Sequence, residues 1–292
     1  MGIDETQLTA LRRDVDDIDD ALHDLLIQRT DLILRIGGAL RKGAPEGPEA
    51  AVATRPGREA MVLRRLLARH KGPFPADVLA RIWREIIGTL MRVQGPFTIA
   101  VFMPERGSGY LEIARDHYGS YTETVSYQAA GRVLKAVVEG AASVAVLPLP
   151  GETATEAWWP ALVGDADPRM QVIARLPFCG PGAGRGGEIE AFAVAPVVPE
   201  ETGDDRSLLA VETRPDVSRT QLNAKLANAG LSTLNYWDVR SFAPDARVHL
   251  LEVSGFVTDA DPRVQRLAHG NDESVRYVRC IGAYATPLHY AR

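Results

Sequence analysis

The sequence predicts a multi-domain chain: an all-α unit over 5–96, one α/β lobe over 97–198, and an α+β unit of ferredoxin-like order over 206–286. Three observations predict this. Apolar residues at Leu8, Leu11, Val15, Ile18, Leu22, Leu25, Leu32 and Ile36 step by three and four if position 29 is counted. Such a seam belongs to a helix lying lengthwise on other helices. From Phe97 short apolar runs alternate with helical spacing, which implies a parallel, wound sheet. Beyond a polar boundary at Pro199–Asp205 the element order becomes βαββαβ.

The first helix is expected from Thr6 to Leu40, weakened at Gly37-Gly38. Gly43–Gly57, rich in Gly, Pro and Ala, reads as a loop. A second helix opens near Arg58, carries Val62, Leu63, Leu66 and Leu67, and stops by Gly72-Pro73. A third, Ala76 to about Gln94, places Leu79, Ile82, Trp83, Ile86, Ile87 and Leu90 at helical spacing. In the lobe, strands are expected at 97–103, 123–126, 143–147, 171–176 and 188–195, with helices at 109–118, 127–139 and around 157–162. Gly180–Gly187 (GPGAGRGG) is a glycine loop without the strand-turn-helix context of a phosphate cradle. The last unit reads as strands at 207–212, 231–239, 248–253 and 275–281, with helices at 218–229 and 262–267.

Composition narrows the function classes. A net charge of -5 without a long basic run is no footprint for nucleic acid. No run of 18 apolar residues could span a membrane, and MGIDETQL lacks a signal pattern, so a cytoplasmic protein is expected. Cys179 and Cys280 suit a reducing compartment, and no paired metal-ligand motif occurs, so neither metal nor cofactor is expected.

The informative residue is Arg29, a permanent charge on the apolar seam. A buried guanidinium needs an anion, either an internal carboxylate or an anionic ligand inside a helical bundle. Arg12 lies 17 residues earlier on the same helix, roughly 25 Å away at 1.5 Å per residue. Both can grip one small molecule only if they come from two chains. A long helix with two shorter partners also buries its seam best in a dimer.

Leu11-Arg12-Arg13, Leu25-Leu26-Ile27-Gln28-Arg29, Arg58-Glu59 and Gln94 resemble the all-helical chorismate mutases. Arg55-Pro56-Gly57-Arg58-Glu59 leading into Val62-Leu63-Arg64-Arg65 is similar to the mutase domain fused to prephenate dehydratase. The resemblance implies an intertwined homodimer with shared sites and an intramolecular Claisen rearrangement of chorismate to prephenate, in phenylalanine and tyrosine biosynthesis. Arg29 and Arg58 would bind carboxylates, Arg12 would reach in from the other chain, Glu59 would accept the substrate hydroxyl, and Gln94 would donate to the ether oxygen. The family places a lysine eleven residues after the Arg29 position; Leu40 stands there, and Arg41 or Lys42 is the candidate cation.

Gly107-Ser108-Gly109-Tyr110 and Val146-Leu147-Pro148 resemble one lobe of a prephenate dehydratase. The family's Thr-Arg-Phe motif falls near Glu190-Ala191-Phe192, so a lobe without dehydratase activity is expected. Thr213-Arg214-Pro215 and Arg279-Cys280-Ile281-Gly282-Ala283-Tyr284 resemble the ACT regulatory domain, which leaves room for an amino-acid effector. Asp216-Val217-Ser218 replaces that family's effector loop. The alternatives are a working bifunctional mutase/dehydratase and a non-catalytic regulator that binds chorismate, prephenate or an aromatic amino acid.

Overall fold

The computed structural model describes residues 4–42, 54–105, 107–151, 157–180, 189–268 and 274–288. The side chains of residues 40–42 lie outside the described part, as do 43–53 of the expected first loop and 181–188 of the glycine run. Three helices open the chain: α1 (Glu5–Lys42), α2 (Pro56–Arg69) and α3 (Ala76–Gln94). α2 begins on Pro56, whose fixed φ and missing N–H suit a first helical position. α1 runs on through Gly37-Gly38, where weakening was expected. Gly37 is buried because Gln94 lies against it: a Cβ there would stand 2.7 Å from Gln94 Oε1. The glycine lets α1 and α3 approach closely.

α3 faces two ways. Its buried stripe of Ala80, Arg84, Ile87, Gly88 and Met91 turns toward the rest of the protein. Ile87 and Met91 share a core with Phe97, Ile99, Ala114 and Tyr118 of the lobe. A Cβ on Gly88 would overlap the backbone carbonyl of Tyr118, so glycine alone allows this packing.

The lobe comprises β1 (Thr98–Phe102), α4 (Gly109–Tyr118), β2 (Glu123–Tyr127), α5 (Ala130–Val138), β3 (Val144–Pro148), β4 (Gln171–Leu176) and β5 (Ala191–Ala195). β2, β1 and β3 are parallel, as expected. β5 breaks the expectation of a parallel sheet by entering antiparallel between β3 and β4. The segment joining β4 to β5 has no helix among its described residues, and an antiparallel pair needs no crossover. The expected helix at 157–162 is a single 3-10 turn, Trp159–Leu162.

The final unit is β6 (Asp205–Thr213), α6 (Arg219–Ala229), β7 (Thr233–Ala243), β8 (Ala246–Ser254), α7 (Pro262–Ala268) and β9 (Val275–Ala285). Its strands lie in the order β9-β6-β8-β7, the ferredoxin-like arrangement the sequence predicts. α6 opens with a reciprocal capping box between Ser218 and Gln221 and closes on left-handed Gly230. Not foreseen is the junction between units. β9 pairs with β4 in parallel at Gly282 and Val172, which makes one nine-stranded sheet. A Cβ on Gly282 would strike the Val172 backbone. One face of β6, β8 and β9 is covered by α6 and α7 through Leu209, Leu222, Leu226, Leu251 and Val264. The other carries Leu208, Ala210, Leu250 and Ile281 into a common core with Trp158, Trp159 and Phe192.

His117 at the end of α4 is buried, and its ring packs edge-on against Tyr118. Burial, helped by the Arg84 cation, holds its imidazole well below the ordinary value. The unfolded chain therefore takes up a proton below about pH 6.5 that the folded chain refuses, and stability falls as pH drops toward the folded value. His117→Gln carries no group that titrates in this way. The stability difference, wild type minus variant, should shrink when urea midpoints are compared on acidification. A difference constant with pH would remove His117 as the cause.

Candidate active site

α1 stands out from the body of the protein. Leu11, Val15, Ile18, Leu22, Leu25, Leu32 and Ile36 are each 52–60% exposed, so the seam the sequence displays is left open among the described residues. Fully burying an aliphatic side chain is worth roughly 1.5–3 kcal/mol, so this face is a standing cost to a lone chain.

Arg29 is half-buried on this helix, and burial lowers its pKa. Its Nη1 is shielded from solvent with no hydrogen-bond partner, and Arg29 makes no ion pair among the described residues. Of the two readings left open by the sequence, the internal carboxylate is thus absent from the described part. About two turns further along α1, Gln94 meets the helix at Gly37, and its Nε2 donates to the Leu90 carbonyl at 3.1 Å. Arg12 is exposed on α1, and Arg58 is exposed on the first turn of α2. The Arg41 side chain lies outside the described part.

Glu59 departs from its expected role. It is buried, Arg84 Nη1 donates to its Oε2 at 3.0 Å, and Thr54 Oγ1 donates to its Oε1 at 3.3 Å. Both oxygens are therefore engaged by side chains inside the protein. Burial pushes its carboxyl above the usual range, against the opposing pull of Arg84 and its hydrogen bonds. The Arg84 guanidinium also lies 5.1 Å over the Phe178 ring, which joins α3 to the segment after β4. Sequence reasoning missed Arg84, although its signal was that of Arg29: a charge on the stripe of Ala80, Ile87 and Met91. The nearer arginine claims Glu59 because a desolvated carboxylate needs a cation within hydrogen-bond reach.

The position of the dehydratase-type motif is also engaged internally. Arg175 donates to both oxygens of Glu190, at 3.1 and 2.8 Å, and stacks 5.2 Å from the Trp237 ring. Phe192 is fully buried between Trp158, Trp237 and Tyr284. Glu252, almost wholly buried, accepts from Arg206 at 3.1 Å and from the Tyr284 hydroxyl at 2.6 Å.

Residues 11–95 match the family described as chorismate mutase type II. Among curated proteins, the bifunctional chorismate mutase/prephenate dehydratase of Pseudomonas aeruginosa is 31% identical over 150 residues, 51% of this chain and 40% of that protein. The protein of the same description from Neisseria gonorrhoeae is 32% identical over 142 residues, 49% of this chain and 37% of that one. The aligned stretch thus spans about two fifths of these relatives' length. Among solved structures, the prephenate dehydratase of Arthrobacter aurescens in complex with L-Phe superposes with a TM-score of 0.47 at 14% identity, over 66% of this chain and 93% of that one.

Proposed function

We propose that this chain, whose residues 11–95 form a chorismate mutase type II domain, converts chorismate to prephenate as a homodimer with shared sites. The observation that carries the reading is Arg29: a half-buried guanidinium with an unsatisfied Nη1, on a helix whose apolar face is left exposed among the described residues. A second copy of α1 supplies that cover and delivers its Arg12 toward the first chain's Arg29. The reaction needs neither nucleophile nor metal. Arg29 and Arg58 hold the two carboxylates in forked, charge-assisted hydrogen bonds, which fixes the compact conformer in which the new carbon–carbon bond can form. Gln94 donates to the ether oxygen as the C–O bond breaks, together with a cation from Arg41 in place of the lysine that Leu40 replaces. Glu59 is left out of this set because Arg84 and Thr54 engage it.

Dehydratase chemistry is not part of the proposal. Glu190-Ala191-Phe192 offers no hydroxyl, and Arg175 neutralises Glu190. The βαββαβ unit is read as a regulatory module of ACT type. A cavity of about 340 Å³ beside α6, lined by Arg214, Asp216, Gln221 and Lys225, has both charge signs that a free amino acid requires. No described helix is long and apolar enough to cross a membrane, in keeping with a role in the cytosol.

Chorismate consumption with product identification tests the reading. Prephenate alone is expected. Phenylpyruvate would establish the bifunctional alternative, and binding of chorismate without turnover would establish the regulator.

A further inference from the structure

We infer that Arg64 is a positioning residue: it fastens α2, and with it Arg58, to the βαββαβ unit, so that the mutase site depends on the C-terminal half of the chain. The inference rests on the proposed reaction for the role of Arg58 and on geometry for everything else. α2 has 14 residues, an N-cap without a side-chain hydrogen bond, and is too short to hold its place alone. What it packs on therefore decides where Arg58 points.

One side of α2 is held by α3 through the Glu59–Arg84 pair. The other meets the far half of the chain. Ala60 and Leu63 are buried with Phe178 and with Ala285 at the end of β9. Arg64 then makes three hydrogen bonds: to Thr202 Oγ1 at 2.8 Å, to the Asp204 carbonyl at 2.7 Å and to the Thr286 carbonyl at 3.0 Å. These acceptors stand just before the start of β6 and just past the end of β9, two neighbouring strands of the ferredoxin-like unit. The Asp204 carbonyl also accepts from the Thr286 amide at 2.9 Å, so a single guanidinium clasps both strand ends where they already meet. Thr202 is itself tied to the buried Asp205 at 2.6 Å. At the front of α2, Arg55 pairs with Glu200 at 2.6 Å, and a Cβ on Gly57 would come within 3.0 Å of the Glu200 backbone oxygen.

Six residues separate Arg58 from Arg64, a rotation of about 240° and a rise of about 9 Å. The two leave different sides of one helix: Arg58 toward solvent, Arg64 toward the strand ends. A shift of β6 and β9 is thus carried by Arg64 to the carboxylate anchor. By linkage, whatever binds the C-terminal unit and moves those ends changes substrate affinity, and substrate changes its affinity in return.

The test uses the full chain and four variants: Arg64→Ala, Arg64→Lys, Thr202→Val and, as a control, the exposed Arg65→Ala. For Arg64→Ala, KM for chorismate should rise about tenfold, the size of one charge-assisted hydrogen bond, with kcat within about threefold. Hydrogen exchange over 56–69 should accelerate while α1 and β1 keep their rates. Arg64→Lys should recover part of the KM, because an ammonium reaches fewer of the three acceptors. Arg65→Ala should match wild type. If Arg64→Ala does not fold, Thr202→Val, which removes one acceptor, reads the same two quantities on a smaller scale. Unchanged KM and unchanged α2 exchange in Arg64→Ala, or equal effects in Arg65→Ala, would overturn the inference. Absence of chorismate turnover in the wild type overturns the proposed reaction instead, and the exchange data still decide whether Arg64 holds α2.

Discussion

Replacing Arg29 with alanine should lower chorismate turnover by about 10²–10³-fold or more while the far-UV circular dichroism stays that of the wild type. The size follows from what is removed. A guanidinium that is half-buried and unsatisfied is preorganised for a carboxylate and needs little rearrangement when the substrate arrives. The fold should tolerate the change because Arg29 has no ion-pair partner to strand among the described residues. The same variant tests the dimer. Arg12→Ala and Arg29→Ala chains, each inactive alone, form mixed dimers in which one of two shared sites keeps both arginines. An equal mixture, unfolded and refolded together, should recover roughly a quarter of wild-type activity, since half of the dimers are mixed and each has one intact site. A mixture as inactive as its components would place both arginines in separate, single-chain roles.

The second large effect concerns stability. Arg84→Met should destabilise the fold by about 3–5 kcal/mol, because it leaves Glu59 buried without its cation. The deficit should depend on pH. A carboxyl whose folded pKa is raised contributes most below its unfolded value, and that contribution is lost as pH rises through the folded value. Burial already raises Glu59, and the loss of Arg84 raises it further. Urea unfolding should therefore show a larger deficit at about pH 8 than at about pH 5. Adding Glu59→Gln to Arg84→Met should restore much of the loss, since a neutral amide is cheaper to bury than an unpaired charge. Equal deficits at both pH values would show that packing against Phe178, rather than the charge, sets the cost.

Much of the architecture was legible because it rests on local rules. The three helices, most of the strands and the βαββαβ order follow from apolar spacing, Pro and Gly stops and turn residues, which act within a few positions of the chain. Arg29 and the α1 seam were legible for the same reason: a charge at a seam position is a local anomaly whatever surrounds it. Glu59 was not. From the sequence it stands beside Arg58 and invites a shared role, but Arg84, 25 residues later, reaches it first, and which of two arginines meets a carboxylate depends on how two helices pack. The antiparallel entry of β5 and the joining of β4 to β9 were equally out of reach, because a strand's sequence marks its faces and leaves its edge partners open. The sequence by itself thus determined the elements, the order of the last unit and the presence of a cation on the α1 seam. Only the tertiary structure decided that the units share one sheet, that Glu59 is an internal partner, and that Arg64 ties the helix of Arg58 to strand ends some 140 and 222 residues away. Those outcomes rest on contacts between distant segments, whose favourable energy exists only once the whole chain has closed around them.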